Sequence, residues 1–330
     1  MRFRVSMRFL LLALVASFAL VAAGCGREEE EEPTPAATGG TEAPAEELSG
    51  SIEVDGSSTV GPLITAAAEQ FQGEQPNVQV TVGISGTGGG FERFCAGETD
   101  ISNASRPIKD DEEAPLCQQN GVEYTELQVA TDALTVVVNK ENDWAQCLTT
   151  DQLKKMWEPG AEGKINNWNQ IDPSFPDQRL SLAGAGTDSG TFDYFTDEIN
   201  GEEGASRSDY QATEDDNTTV TFVGGETGAL GYFGFSYYEE NQDALNAVQI
   251  DGGNGCVAPS VETAQNGEYT PLSRPLFIYV KNEALQRPEV KGFVQYILDN
   301  AQSIAESAQF VPLNDEQLAE SQSRFEQASA

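Results

Sequence analysis

The chain has 330 residues, with 54 Asp and Glu against 18 Lys and Arg for a formal net charge of −36, and it contains no histidine. Such acidity opposes binding to nucleic-acid backbones or flat attachment to anionic membranes, both of which rest on Lys and Arg. Without an imidazole, most serine-hydrolase and zinc mechanisms lose an ingredient, so hydroxyl-rich loops read as binding groups rather than nucleophiles.

Arg2, Arg4 and Arg8 lead into an apolar run over 9–23 that ends in Ala23, Gly24 and Cys25. A basic start, a short apolar stretch and small residues mark an export signal, and the run is short for a retained membrane span. The segment resembles a bacterial lipoprotein signal, which implies removal of 1–24 and lipidation of Cys25; Ala22 stands where that pattern carries Leu. Residues 25–49 hold Glu, Pro, Thr, Ala and Gly with almost nothing to bury, and they read as a disordered acidic tether. The remainder is long enough for a large core and more than one domain.

A short strand at 51–54 runs into Gly56, Ser57, Ser58 and Thr59, and Pro62 then opens a helix with Leu63, Ile64, Ala67, Ala68 and Phe71 on one face. Val78, Val80, Val82 and Ile84 alternate as a second strand, which meets Ser85, Gly86 and Thr87 ahead of a helix carrying Phe91, Phe94 and Cys95. A third strand at 100–104 ends at Ser105 and Arg106. This repeated order of strand, loop and helix is the grammar of a sheet flanked by helices, with ligands at the C-terminal strand ends. Residues 131–139 form a long apolar strand without turn signals, suited to passing from one lobe to another. A helix with Leu153, Met156 and Trp157 and a strand at 179–183 lead to Asp188, Ser189, Gly190 and Thr191, then to an amphipathic helix through Phe192, Phe195 and Ile199. An apolar strand at 276–280 returns the chain to the first lobe, which closes with a helix through Val290, Phe293, Val294 and Ile297.

Three of these loops place hydroxyls and Gly just ahead of helices, where outward-pointing amides and the helix dipole favour an anion. The run from Ser85 to Gly90 has the spacing of neither a dinucleotide fingerprint nor a P-loop. Tyr232, Phe233, Phe235, Tyr237 and Tyr238 read as core and cleft wall. Apart from Cys25, Cys95, Cys117, Cys147 and Cys256 suggest two disulfides in an exported domain, with three pairings open. Cys95–Cys117 is favoured as the local pair and Cys147–Cys256 as the staple of one lobe. The absence of any C-x-x-C pair argues against a metal site.

In order and spacing, DGSSTVGPLITAAAEQF, VGISGTGGGFERFCAGETDISNASRPI, GAGTDSGTFDYF and GALGYFGFSYY resemble the substrate-binding proteins of bacterial ABC phosphate importers, over 50–320. The resemblance implies an α/β fold, a two-lobed periplasmic binding protein of type II with two crossover strands and an interlobe ligand cleft. Residues 50–131 and 279–330 would form lobe 1, and 132–278 lobe 2. It implies a monomeric, extracytoplasmic, non-enzymatic protein without cofactor or metal, held to the cell membrane by its lipid alone. Its partners would be inorganic phosphate and the importer's membrane subunits, with no nucleic acid. The motifs place ligand groups at Ser57, Ser58, Thr59, Ser85, Gly86, Thr87, Ser105, Ser189, Gly190 and Thr191. Two positions depart from the pattern: Arg106 stands where the family has an Asp that accepts the phosphate's proton, and Ala185 where it has an Arg. Arg106 is therefore expected to supply from lobe 1 the guanidinium that lobe 2 lacks. Asp188, with Asp55 second, is expected to accept the proton that distinguishes hydrogen phosphate from sulfate.

Overall fold

The computed structural model describes residues 47–330, so the export signal, Cys25 and most of the tether lie outside the described residues. Nine strands form one sheet, ordered Asn77–Val82, Ser49–Gly56, Ile101–Ala104, Ser273–Lys281, Tyr124–Asn139, Ala229–Gly234, Ser181–Ala185 and Gln211–Thr213, with Leu245–Ala247 also paired to Tyr124–Asn139. At the centre, Tyr124–Asn139 serves two sets of partners: 124–133 pair antiparallel with Ser273–Lys281, and 134–138 with Ala229–Gly234. From Val129 onward every residue of this strand is buried, as a strand covered on both faces requires. Its start alternates, with Leu127 and Val129 buried and Glu126 and Gln128 less so, which is why the apolar run alone places the strand's beginning too late.

Outside this shared strand the lobes repeat one design. Asn77–Val82, Ser49–Gly56 and Ile101–Ala104 run parallel in lobe 1, and Ser181–Ala185 runs parallel to both Ala229–Gly234 and Gln211–Thr213 in lobe 2. Parallel strands are joined by helical crossovers, so their C-terminal ends share one edge, and the hydroxyl-rich loops gather there. The apolar face of Gly61–Glu74 supplies Leu63, Ile64, Ala67, Ala68 and Phe71 to a lobe 1 core with Ile52, Val280, Phe293 and Phe325. Lobe 2 has its own core around Trp157, Trp168, Phe195, Tyr232 and Tyr269. There Phe195 stacks on Tyr232 with centroids 3.9 Å apart, and Trp157 meets both edge-on, so Tyr232 is core. Phe233 and Phe235 are buried as well, while Tyr237 and Tyr238 pack half-buried against small clusters.

Ser273–Lys281 pairs along its whole length with 124–133 of the shared strand, from Ser273 opposite Ala133 to Lys281 opposite Tyr124. The strand therefore begins at Ser273, ahead of the apolar run at 276–280. Disulfides join Cys95 to Cys117 in lobe 1 and Cys147 to Cys256 in lobe 2, the latter within the small sheet of Cys147–Thr149, Gln249–Asp251 and Cys256–Val257.

A third connection lies beside the two crossing strands. Thr131 and Val311 exchange backbone hydrogen bonds of 2.9 Å, on the edge of Tyr124–Asn139 away from Pro275. From lobe 2, Ser236 Oγ donates to Gln309 O (2.8 Å) and Gln265 Nε2 to Pro312 O (2.7 Å). Ala133, Phe235, Ala264 and Val311 form an apolar cluster at the same place.

Candidate functional site

The first loop depends on Gly56. Its φ is +143°, and a Cβ there would lie 2.1 Å from Asn103 O, so only glycine lets Ser49–Gly56 leave the sheet against its neighbour. Ser57 N then donates to Asn103 O (2.9 Å), and Ser57 Oγ accepts from Thr59 N (3.2 Å) and Val60 N (3.4 Å). The second loop opens the helix Gly86–Cys95, which sits against the first so closely that a Cβ on Gly90 would lie 2.5 Å from Gly56 Cα. Thr87 Oγ1 lies 3.1 Å from Ser105 Oγ and accepts from Ser105 N (3.3 Å), tying the end of the third strand to the second loop. In lobe 2, Ser189 Oγ accepts from Thr191 N (3.2 Å) at the start of Gly190–Phe195.

These loops face one another across a cleft of about 470 Å³. Ser57, Ser58, Thr59, Gly86, Thr87, Ser105 and Arg106 line it from lobe 1, and Gly190, Asp193 and Tyr194 from lobe 2. A Cβ on Gly190 would stand 3.0 Å from Thr59 Oγ1 and 3.5 Å from Thr59 Cα, so the lobes touch at this pair. Ser189 and Thr191 flank Gly190 without lining the cleft, and Ser85, exposed, does not line it either.

Arg106 lines the cleft, but its guanidinium forks onto Glu113, with Nη1 to Oε2 at 2.8 Å and Nη2 to Oε1 at 2.7 Å. Burial pushes the Glu113 carboxyl up, yet the hydrogen bonds from Arg106 and the Lys109 N–H outweigh it and hold it below its ordinary value. A second guanidinium, not anticipated from the sequence, enters at the crossing strands. Arg274 stands opposite Asp132 in register and donates through Nε to Asp132 Oδ2 (3.2 Å) and through Nη2 to Thr59 Oγ1 (3.0 Å). Its guanidinium lies 3.6 Å from the centroid of the Tyr194 ring, whose hydroxyl donates to Pro271 O (2.6 Å). Arg274 thus touches a lobe 1 loop, a hinge carboxylate and a lobe 2 helix at once. Asp132 is almost fully buried, and burial raises its carboxyl against the pull of Arg274. The sequence signal was present: Asp132 is the only charge in TDALTVVVN, and Arg274 stands two residues before the apolar run at 276–280.

The carboxylates divide by environment. Asp188 is exposed and does not line the cleft. Asp55 is buried and does not line the cleft; its Oδ1 accepts from Gly56 N and Ser85 N and its Oδ2 pairs with Arg93. Asp193, one turn after Ser189, does line the cleft, and burial together with Glu203 raises its carboxyl.

Behind the Ser189 loop, Glu214 crowds Gly186, and beside it Asp216 is raised to about 6 by burial and by Asp215 and Glu214. A carboxyl raised by folding contributes stability that is complete below the unfolded value of about 3.9 and is lost as pH climbs through about 6. Asp216→Asn is therefore expected to raise stability at pH 7 by about 1–2 kcal/mol and to flatten its fall between pH 4 and 7. Urea unfolding across that range checks it; an unchanged pH profile contradicts it.

Among the described residues, no group of His, Cys, Asp and Glu is arranged to hold a metal ion, and no helix is long and apolar enough to cross a membrane. A family model described as a PBP superfamily domain matches residues 37–301. The chain is 49% identical over 271 residues to Protein SphX of Synechocystis sp., covering 82% of this chain and 80% of the relative. It is 38% identical over 292 residues to the phosphate-binding protein PstS of Staphylococcus saprophyticus, covering 87% of this chain and 88% of the relative. Among solved structures, one described as a possible phosphate binding protein from Planctomyces limnophilus superposes with a TM-score of 0.82 at 45% identity, covering 86% of this chain and all of that one.

Proposed function

We propose, from the premise that this chain belongs to the PBP superfamily, that it is an extracytoplasmic binding protein which captures inorganic phosphate in its cleft and delivers it to the membrane subunits of an ABC importer. The observation that carries this reading is the convergence of Ser58, Thr59, Thr87, Ser105, Gly190 and the guanidinium of Arg274 on one interlobe cleft. Hydroxyls and helix-start amides hold a tetrahedral anion without reorganising, and a ligand that contacts both lobes favours the closed state. The reading involves no covalent chemistry: the sequence has no histidine to activate a serine, and the PstS relative is named as a binding protein. It includes a monomeric mature chain, lipidation of Cys25 and an acidic tether; Cys25 and the tether up to Glu46 lie outside the described residues, whereas Leu48 and Ser49, the end of the expected tether, join lobe 1, where Ser49 pairs with Asn77.

Hydrogen phosphate can donate a hydrogen bond that sulfate cannot, so discrimination requires a carboxylate acceptor in the cleft. We assign that role to Asp193 in place of Asp188, which is exposed outside the cleft: of the carboxylates that line it, Asp193 is half-buried beside Gly190 and Tyr194, whereas Asp197, Glu198 and Glu203 are exposed. Calorimetry is expected to give one phosphate per chain, with sulfate at least about 100-fold weaker. Asp193→Asn should reduce that preference to less than about tenfold. No binding of phosphate by the wild type would overturn the function, and an unchanged preference in the variant would overturn the role of Asp193.

A further inference from the structure

Asp55 is 2% exposed and is the last side chain of its strand before Gly56, yet it serves two segments far apart in sequence. One oxygen, Oδ1, accepts from Gly56 N at 2.7 Å and from Ser85 N at 3.0 Å, across 30 residues. The other oxygen pairs with Arg93 on the helix Gly86–Cys95. Gly83 is fitted to the same carboxylate, since a Cβ there would lie 2.9 Å from Asp55 Cγ. The start of the first anion loop, the start of the second and the helix behind the second are thereby held by one carboxylate.

We infer that Asp55 is the positioning residue of the site, the group that makes the two lobe 1 loops a single preformed anion cradle. It touches no ligand and acts through the peptide groups of Gly56 and Ser85, whose placement fixes Ser58, Thr59, Gly86 and Thr87. Two loops set independently would each lose freedom when an anion arrives; fixed to one oxygen, they have lost it beforehand, which is where preorganised sites gain affinity. This inference rests on the reading of the cleft as a phosphate site, and its test separates the two.

The test measures phosphate affinity by calorimetry and amide hydrogen exchange at Gly56 and Ser85 in four proteins: wild type, Asp55→Ala, Asp55→Asn and Arg93→Ala. Asp55→Ala removes the shared acceptor, so affinity should fall at least about 30-fold while exchange rises at both amides together. Asp55→Asn keeps a carbonyl oxygen for both amides and should stay within about fivefold of wild type. Arg93→Ala, which removes a half-exposed partner and leaves Oδ1 in place, should do the same. A merely structural role through the ion pair predicts the opposite grouping, with Asp55→Asn and Arg93→Ala impaired as badly as Asp55→Ala. That grouping, or exchange rising at only one of the two amides, overturns the inference even where Asp55→Ala fails to fold. Absence of phosphate binding by the wild type would overturn the functional reading instead.

Discussion

Arg274→Ala is expected to weaken phosphate binding by at least about 100-fold, the consequence of losing charge-assisted hydrogen bonds at about 1.5–3 kcal/mol each. Arg274 is the cation whose surroundings fit it for this. Asp132 and Thr59 fix its position through Nε and Nη2, the Tyr194 ring covers one face, and Nη1 has no hydrogen-bond partner among the described residues. The same substitution leaves Asp132 buried without its partner, so the folded state should also lose about 3 kcal/mol in urea unfolding. The two effects separate in Arg274→Ala/Asp132→Asn, which removes the buried charge: stability should return and affinity should not. Wild-type affinity in either variant would leave Arg106 as the cation of the site.

Gly190→Val tests closure rather than contact chemistry. Even a Cβ at Gly190 stands 3.0 Å from Thr59 Oγ1 and 3.5 Å from Thr59 Cα, and the branched methyls of Val would press into that backbone where the lobes meet. Each lobe keeps its own core, so unfolding should shift by less than about 0.5 kcal/mol, as for a surface change. Closure should instead be penalised by about 2.7 kcal/mol, which lowers apparent affinity about 100-fold by population alone. Small-angle scattering with saturating phosphate should show a more open molecule than wild type. Equal affinity and equal scattering would mean that the lobes do not meet at Thr59 and Gly190 when ligand is bound.

The parts of this molecule that are local in sequence were legible there. Each lobe 1 loop follows its own strand and precedes its own helix, and periodicity with Gly and Ser places these correctly. What the sequence concealed is made by pairing between distant segments. Arg274 and Asp132 meet across 142 residues, and neither carries a motif. Asp188 looked like an acceptor because it adjoins Ser189 in the chain, but the turn at 187–188 leaves it exposed, while Asp193, one helical turn on, reaches the cleft. Arg106 lines the cleft as expected, yet its fork onto Glu113 depends on a helix that begins seven residues later. The start of the returning strand was placed late for a related reason: Ser273, Arg274 and Pro275 do not read as strand, and it is pairing with 131–133 that makes them one.

The segment at 309–313 changes the mechanics of the hinge. Two adjacent strands alone form a narrow strip, free to bend and also to swivel in its own plane. With Val311 bridged to the opposite edge of Thr131, the strip is three chains wide at the point of flexure. A wide ribbon resists swivelling, which would stretch the hydrogen bonds along one margin, but still folds about an axis across its width. Opening and closing of the lobes about these chains is therefore expected to follow a single axis, like the leaves of a door on a long butt hinge, and to bring Thr59 and Gly190 back to one alignment.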